Sequence, residues 1–266
     1  MLLHGLEGSS ESGYILGTAE KAWAAGFNVV RLNQRNCGGT ENLTPTVYHS
    51  GLSRDIRAVV LELIERDRLP EIFAAGFSMG GNLVLKMAGE FAESAPREVR
   101  GFIAIAPCFD LAACVDALLE PRNFIYDRYF VKRLKRRMRY KATLFPKIYG
   151  KEGPMKNLGG VRTVRDFDDT ITAPYWGFRD AADYYATQSA KNVVSAIARR
   201  TLVITAADDP FVPIATFQDT ALRGNRNIAV KATRYGGHCA FISTENGDER
   251  FWSETRIVEF CRDLRS

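Results

Sequence analysis

Glu71-Ile72-Phe73-Ala74-Ala75-Gly76-Phe77-Ser78-Met79-Gly80-Gly81-Asn82-Leu83-Val84-Leu85 reads as strand, sharp turn and helix in direct succession. The apolar run 72–75 stops at Gly76-Phe77-Ser78-Met79-Gly80, and the helix-compatible run 82–88 follows at once. A serine at the centre of G-x-S-x-G in that setting is a nucleophile elbow. Gly76 and Gly80 are required because the turn is so tight that side chains there would collide with the strand and the helix. The turn lifts the Ser78 hydroxyl above the sheet edge. It also leaves the Met79 amide at a helix start, aimed at whatever the serine attacks.

A serine hydroxyl is a poor nucleophile near neutral pH, so it needs a base within hydrogen-bond reach and a carboxylate to orient that base. Three histidines are available, His4, His49 and His238. His4 lies in an N-terminal turn and His49 just before a helix, where capping or packing accounts for them. His238 follows the last strand-like run in a Gly-Gly-His turn and is the expected base. The strand-like run before it ends at Asp208-Asp209-Pro210-Phe211-Val212-Pro213, where the acid is expected. The order serine, acid, histidine differs from the orders in trypsin-like and subtilisin-like enzymes, and strand ends in one sheet would bring the three together. In hydrolases of this kind the acid commonly reads D-x-x-x-P. Asp209 satisfies that pattern and Asp208 does not, so Asp209 is the expected acid and Asp208 a turn-forming or supporting residue. A tetrahedral intermediate also needs two donors for its oxyanion: the Met79 amide, and the Leu6 amide in the turn His4-Gly5-Leu6.

Working outward, strand-like and helix-like runs alternate. Residues 14–25 suit a helix ended by Gly26, and 27–32 a strand. Residues 52–66 suit a helix with Ile56, Val59, Val60, Leu63 and Ile64 on one face. Further strands are expected over 99–106, 201–206 and 228–232, with helices over 214–222 and 251–264. This alternation implies an α/β fold with a mostly parallel sheet flanked by helices. The rhythm breaks over 108–198, which reads as a helical lid inserted over Ser78. One domain follows, with a core of 1–107 and 199–266.

The 266 residues are 46% apolar and 25% charged, ordinary values for a globular protein. No run of about 18 apolar residues occurs and no basic-then-apolar leader opens the sequence, so a cytoplasmic setting is expected. The five cysteines are scattered without C-x-x-C spacing, which suggests neither a disulfide framework nor a zinc site. Asp168-Asp169 has no histidine or acid cluster at ligand spacing, so helix capping near Thr170 is its expected use; no metal and no cofactor are called for. The net charge of +5 is concentrated in Arg128, Lys132, Arg133, Lys135, Arg136, Arg137, Arg139, Lys141 and Lys147, with no acid among them. That clustering is local and is no sign of nucleic-acid binding. Over 127–142, Val131, Leu134 and Met138 form one stripe with a basic remainder. Such a helix could lie on an anionic membrane surface, or simply present a solvated lid face. Aromatic residues crowd the insertion, as at Phe124, Tyr126, Phe130, Phe167 and Trp176, and suit an apolar acyl pocket as well as a small core.

Several stretches together resemble the YheT/EMB8/ABHD3 branch of the α/β-hydrolases. They are His4-Gly5-Leu6-Glu7-Gly8, 31–39 with Tyr48-His49-Ser50-Gly51, 76–85, 167–174 with Gly177-Phe178 and Asp183-Tyr184-Tyr185, 206–213, and Gly236-Gly237-His238. That family comprises carboxylesterases, lipid-ester hydrolases and, in some fungal members, ester-forming acyltransferases. The resemblance implies the α/β-hydrolase fold, a triad of Ser78, Asp209 and His238, and a small-molecule ester substrate. Family members carry several tens of residues before the H-G-L-E-G turn that supply the first strands, whereas this sequence begins inside the strand ending at His4. A misassigned start is expected, the other reading being a truncated form with an open sheet edge. The expected activity is that of a serine carboxylesterase acting on short- to medium-chain carboxylic or lipid esters through an acyl-enzyme. The same triad would serve acyl transfer to an alcohol, and loss of the first strands would leave a catalytically dead binding protein. No histidine opens an H-x-x-x-x-D motif, so the separate acyltransferase chemistry tied to that motif has no support. The sequence is silent on oligomeric state.

Overall fold

Among the described residues six strands form one parallel sheet: β1 (Leu2–Leu3), β2 (Arg31–Leu32), β3 (Ile72–Phe77), β4 (Val99–Ile105), β5 (Thr201–Ala206) and β6 (Ile228–Thr233). Their spatial order is β2-β1-β3-β4-β5-β6. The computed structural model describes residues 1–150, 153–244 and 250–265. β3, β4 and β5 are buried on both faces, which is why they are near-continuous apolar runs. β6, at the edge, alternates between half-buried and exposed positions. The predicted strand over 27–32 shrinks to Arg31–Leu32, because its ladder partner β1 is itself two residues long.

Successive residues of each strand feed opposite cores. Leu3, Ala74, Phe102, Ala104 and Val203 pack beneath α2 (Ser53–Glu65) and α3 (Met79–Phe91), where Ile56, Val60 and Leu83 meet them. Leu2, Ala75, Phe77, Ile103, Leu202 and Ile204 pack on the other side with Ile15 of α1 (Gly13–Ala24) and Ile257 and Cys261 of the last helix, Trp252–Asp263. α3, sandwiched between sheet and neighbours, is buried almost all round.

Between β4 and β5 the chain forms α4 (Leu111–Leu118), α5 (Phe124–Leu144), α6 (Val164–Phe167), a single π turn (Asp168–Thr172), α7 (Ala173–Trp176) and α8 (Ala181–Gln188). α5 buries Val131, Leu134 and Met138, the stripe expected from spacing. Its basic remainder is not wholly solvated: Arg133, Arg137 and Lys141 turn inward onto the loops after β1 and β2. The helix expected over 214–222 is split into a 3-10 turn (Ile214–Gln218) and α9 (Thr220–Gly224). The Asp219 carboxylate accepts from the Ala221 and Leu222 amides at 2.9 and 3.1 Å and so starts a new helix. The closing helix, Trp252–Asp263, is α10. Among the described residues no helix is long and apolar enough to cross a membrane.

Candidate active site

The elbow is a backbone device before it is a chemical one. A methyl group on Gly76 would run into the Gly80 carbonyl, and one on Gly80 would lie 2.5 Å from the His4 carbonyl oxygen. Only glycine lets β3, β1 and α3 approach so closely. The turn holds Ser78 at φ 54° and ψ −119°, a strained conformation for a side-chain-bearing residue. It persists because the neighbours over-determine it. The Ser78 amide donates to the Ile105 carbonyl at 2.8 Å, and the Ser78 carbonyl accepts from the Asn82 and Cys108 amides at 3.1 and 3.2 Å. The Ser78 hydroxyl lies 3.5 Å from the Cys108 thiol at the end of β4.

The two loops after β5 and β6 bring Asp209 and His238 together, with Asp209 Oδ2 2.8 Å from His238 Nδ1. The Asp209 side chain is fully buried. Its Oδ1 accepts from the Phe211 and Val212 amides at 3.1 and 3.0 Å, so the carboxylate cannot swing away. Asp208 is exposed and accepts from the Gly237 amide at 2.8 Å, tying the acid loop to the histidine loop. The imidazole packs on Phe211, ring centroids 4.1 Å apart. Burial works against a charged His238, but the adjacent Cys239 and the Asp209 carboxylate outweigh it and hold the ring's pKa well above the ordinary value. His238 and Ser78 line one groove, although the Ser78 hydroxyl is turned to Cys108.

The turn after β1 lies directly over the serine: a methyl on Gly5 would sit 3.1 Å from Ser78 Cβ. His4 Nε2 accepts from the Gln34 amide at 3.2 Å, which leaves the ring proton on Nδ1. That N–H donates to the Gly5 carbonyl at 2.8 Å, and the Gly8 amide donates to the same oxygen at 3.1 Å. Because the peptide is planar and trans, pinning the Gly5 carbonyl sends the Leu6 N–H the opposite way. Met79 opens α3, so its amide has no carbonyl four residues back within the helix. Leu6 and Met79 both border a pocket that contains Ser78.

Two features were not singled out in the sequence, the roles of Glu7 and Cys108, and a third, Asp168, differs from its expected use. Glu7, at φ 57°, has a side chain 3% exposed, with its carboxylate receiving Arg137 Nε at 2.7 Å, Arg137 Nη2 at 3.1 Å and the Tyr48 hydroxyl at 3.0 Å. Arg133 adds a bond to the Glu7 carbonyl at 2.9 Å. An acid inside H-G-L-E-G and an unmatched basic run were the available signals. Cys108 carries only the signal of following a strand-ending proline. A hydrogen bond with Cys114, then the nearby His238 and Ser78, bring its thiol below the ordinary value despite burial. Asp168 does not cap a helix, since its backbone continues the helical path. It accepts from the Thr172 hydroxyl at 2.6 Å and the Tyr185 hydroxyl at 2.7 Å in the pocket wall, where burial pushes its carboxyl up to about 6. Asp169 accepts from the Ala181 amide at the start of α8, 2.6 Å away.

His49 packs against the rings of Trp176, Phe178 and Tyr184 and accepts from the Gly51 amide at 3.0 Å. Burial, with Arg54, Lys86 and Arg35 nearby, lowers it to about 3, so it is a neutral packing group. Among the described residues no three His, Cys, Asp or Glu side chains gather as a metal site, and all five cysteines are free thiols.

The family model described as alpha/beta hydrolase fold matches residues 1–244. The chain is 31% identical over 98% of its length to the putative esterase YheT of Escherichia coli, spanning 75% of that protein. It is 28% identical over 91% of its length to the phospholipase ABHD3 of Mus musculus and 27% identical over its whole length to a monoacylglycerol lipase of Saccharomyces cerevisiae. It spans 58% of each of these two relatives. Among solved structures, the esterase Pf2001 of Pyrococcus furiosus superposes with a TM-score of 0.59 at 16% identity, covering 98% of this chain and 81% of that one. With sheet order, elbow and sequence match in agreement, this chain belongs to the α/β-hydrolase family, in the branch of YheT, EMB8 and ABHD3.

Proposed function

We propose that the chain is a serine carboxylesterase. The observation that carries this reading is a strained Ser78 sharing a groove with His238, whose ring is joined at 2.8 Å to the buried Asp209 carboxylate. Relatives bearing the names esterase, phospholipase and monoacylglycerol lipase support ester chemistry in general. Ser78 Oγ attacks the ester carbonyl while His238 Nε2 takes its proton, and the Leu6 and Met79 amides receive the oxyanion. Asp209 keeps the imidazole proton on Nδ1 and steadies the ring as it becomes charged. His238 returns the proton to the departing alcohol, and water repeats the sequence to free the acid. The Ser78–His238 contact closes as substrate displaces the hydroxyl from Cys108, as catalytic hydrogen bonds in unliganded hydrolases often do. The helical segment between β4 and β5 acts as the lid, and five free thiols suit a reducing, cytoplasmic setting.

The test compares hydrolysis of p-nitrophenyl esters by the chain and its Ser78→Ala variant, with fluorophosphonate labelling alongside. Release that vanishes in the variant, with label on Ser78, is the expected result. A folded protein with neither would overturn the proposal.

A further inference from the structure

Two spaces meet at Ser78, and they differ in size and in what borders them. One is a pocket of about 100 Å³ that runs beneath the segment between β4 and β5, past Cys108, Leu111, Val115 and Leu118. The other is a groove of about 500 Å³ bordered by Gly5, Tyr14, His238 and Phe251. Leu6, Ser78 and Phe130 border both, whereas His238 borders only the groove.

Chemistry decides which half of an ester goes where. The new bond joins Ser78 Oγ to the carbonyl carbon and the bond to the alcohol oxygen breaks. The proton taken from Ser78 must then pass from His238 to that oxygen. The departing alcohol therefore lies on the His238 side, in the groove, and the acyl chain points into the small pocket. A cavity of about 150 Å³ holds the six carbons of benzene, so a pocket of this size holds about four. Most of its wall is apolar, as at Leu6, Met79, Leu111 and Leu134, and its one carboxyl, Asp168, is held by the Thr172 and Tyr185 hydroxyls. Such a wall favours an apolar acid over a charged one.

Resting on the esterase reading above, we propose that the chain selects esters that join a short apolar acid of about four carbons to a much larger alcohol. The pocket wall at Val115 and Leu118 of α4 sets the limit, since both are buried among packed neighbours.

The test measures kcat/KM for p-nitrophenyl esters from acetate to laurate with the full chain, Leu118→Ala and Val115→Phe. The wild type is expected to peak at butyrate and to fall by at least about tenfold by octanoate, since even one methylene that cannot be accommodated costs about that much. Leu118→Ala should move the peak to a longer acid and Val115→Phe to a shorter one. Replacing the nitrophenol by a bulkier naphthol in the butyrate ester should change kcat/KM by no more than about threefold, a uniform leaving-group effect aside. A wild-type peak at octanoate or beyond, or a peak that neither variant moves, overturns the assignment while Ser78-dependent hydrolysis stands. Should Leu118→Ala fail to fold, Val115→Phe alone decides, because it predicts a shift in the opposite sense. Failure of the esterase reading itself looks different: no ester is turned over and fluorophosphonate leaves Ser78 unlabelled.

Discussion

Replacing Asp209 by asparagine tests the acid with almost no change of shape. The two amides of Phe211 and Val212 need an oxygen acceptor, and in the wild type Oδ1 supplies it. In Asp209→Asn the amide oxygen stays with them, and the NH₂ group then faces His238 Nδ1. The ring can no longer keep its proton there, so the proton moves to Nε2, the atom that should receive the Ser78 proton. Turnover is expected to fall by about 10⁴-fold, as when the equivalent swap forces the wrong tautomer in a serine protease. At about 1.36 kcal/mol per factor of ten, this is roughly 5 kcal/mol of transition-state stabilisation. Above the raised His238 pKa thermal stability should change little, because every buried donor and acceptor keeps a partner; below it the variant should lose the stabilisation that the carboxylate gives the charged ring. Asp208→Asn keeps an oxygen for the Gly237 amide and should stay within about threefold of wild type, as exposed substitutions do. Initial rates on a butyrate ester over a wide pH range, with melting curves, provide the assay. With the neutral imidazole as the proposed base, wild-type kcat/KM should climb as pH rises through the raised His238 pKa. That climb should move to lower pH in Asp209→Asn. The same shift has a stability side: the stabilisation from protonated His238 is fully present below the unfolded value of 6.5 and is lost as pH rises through the raised folded value. An Asp209→Asn enzyme with more than about a tenth of wild-type activity, or an Asp208→Asn enzyme with the deeper loss, would refute the assignment.

Two further outcomes follow from groups outside the reacting atoms. Arg137→Ala leaves the buried Glu7 carboxylate without its bidentate partner and should lower unfolding stability by about 3–5 kcal/mol in urea titrations, with Arg137→Lys recovering part; a loss below about 1 kcal/mol would contradict the burial argument. Asp168 has a folded pKa raised to about 6 from 3.8, so its favourable contribution is present below 3.8 and is lost as pH rises through 6. The melting-temperature gain of Asp168→Asn over wild type should therefore grow across that window, and a gap independent of pH would show that the carboxyl does not titrate there.

What was legible in the sequence follows from what leaves a local mark. β3, β4 and β5 are buried on both faces, so each shows as an apolar run that stops at a turn. Ser78, Asp209 and His238 were singled out because each sits at a strand end, and the structure brings Asp209 within 2.8 Å of His238. Periodicity assigned Val131, Leu134 and Met138 to a buried stripe, yet it could not show that Arg133 and Arg137 point inward. Their partner Glu7 is more than a hundred residues away and shares no pattern with them. The role of His4 was hidden for a different reason: it acts on the peptide bond beside it, which has no side-chain signature. The π turn at Asp168–Thr172 likewise looks in sequence like the start of a helix.

The fastening of α5 to Glu7 bears on how a substrate reaches the serine. Arg133 and Arg137 reach from α5 to the residue next to Leu6, and Lys141, one turn on, donates to the carbonyls of Glu41 and Thr44. A door hinged on α5 would have to strip a buried carboxylate of its charge partner each time it opened, and would loosen the Leu6 turn as it did so. α5 therefore serves better as a keystone than as a door: it locks the arch over Ser78, and on the esterase reading proposed above substrate would pass along the His238 side with the keystone in place.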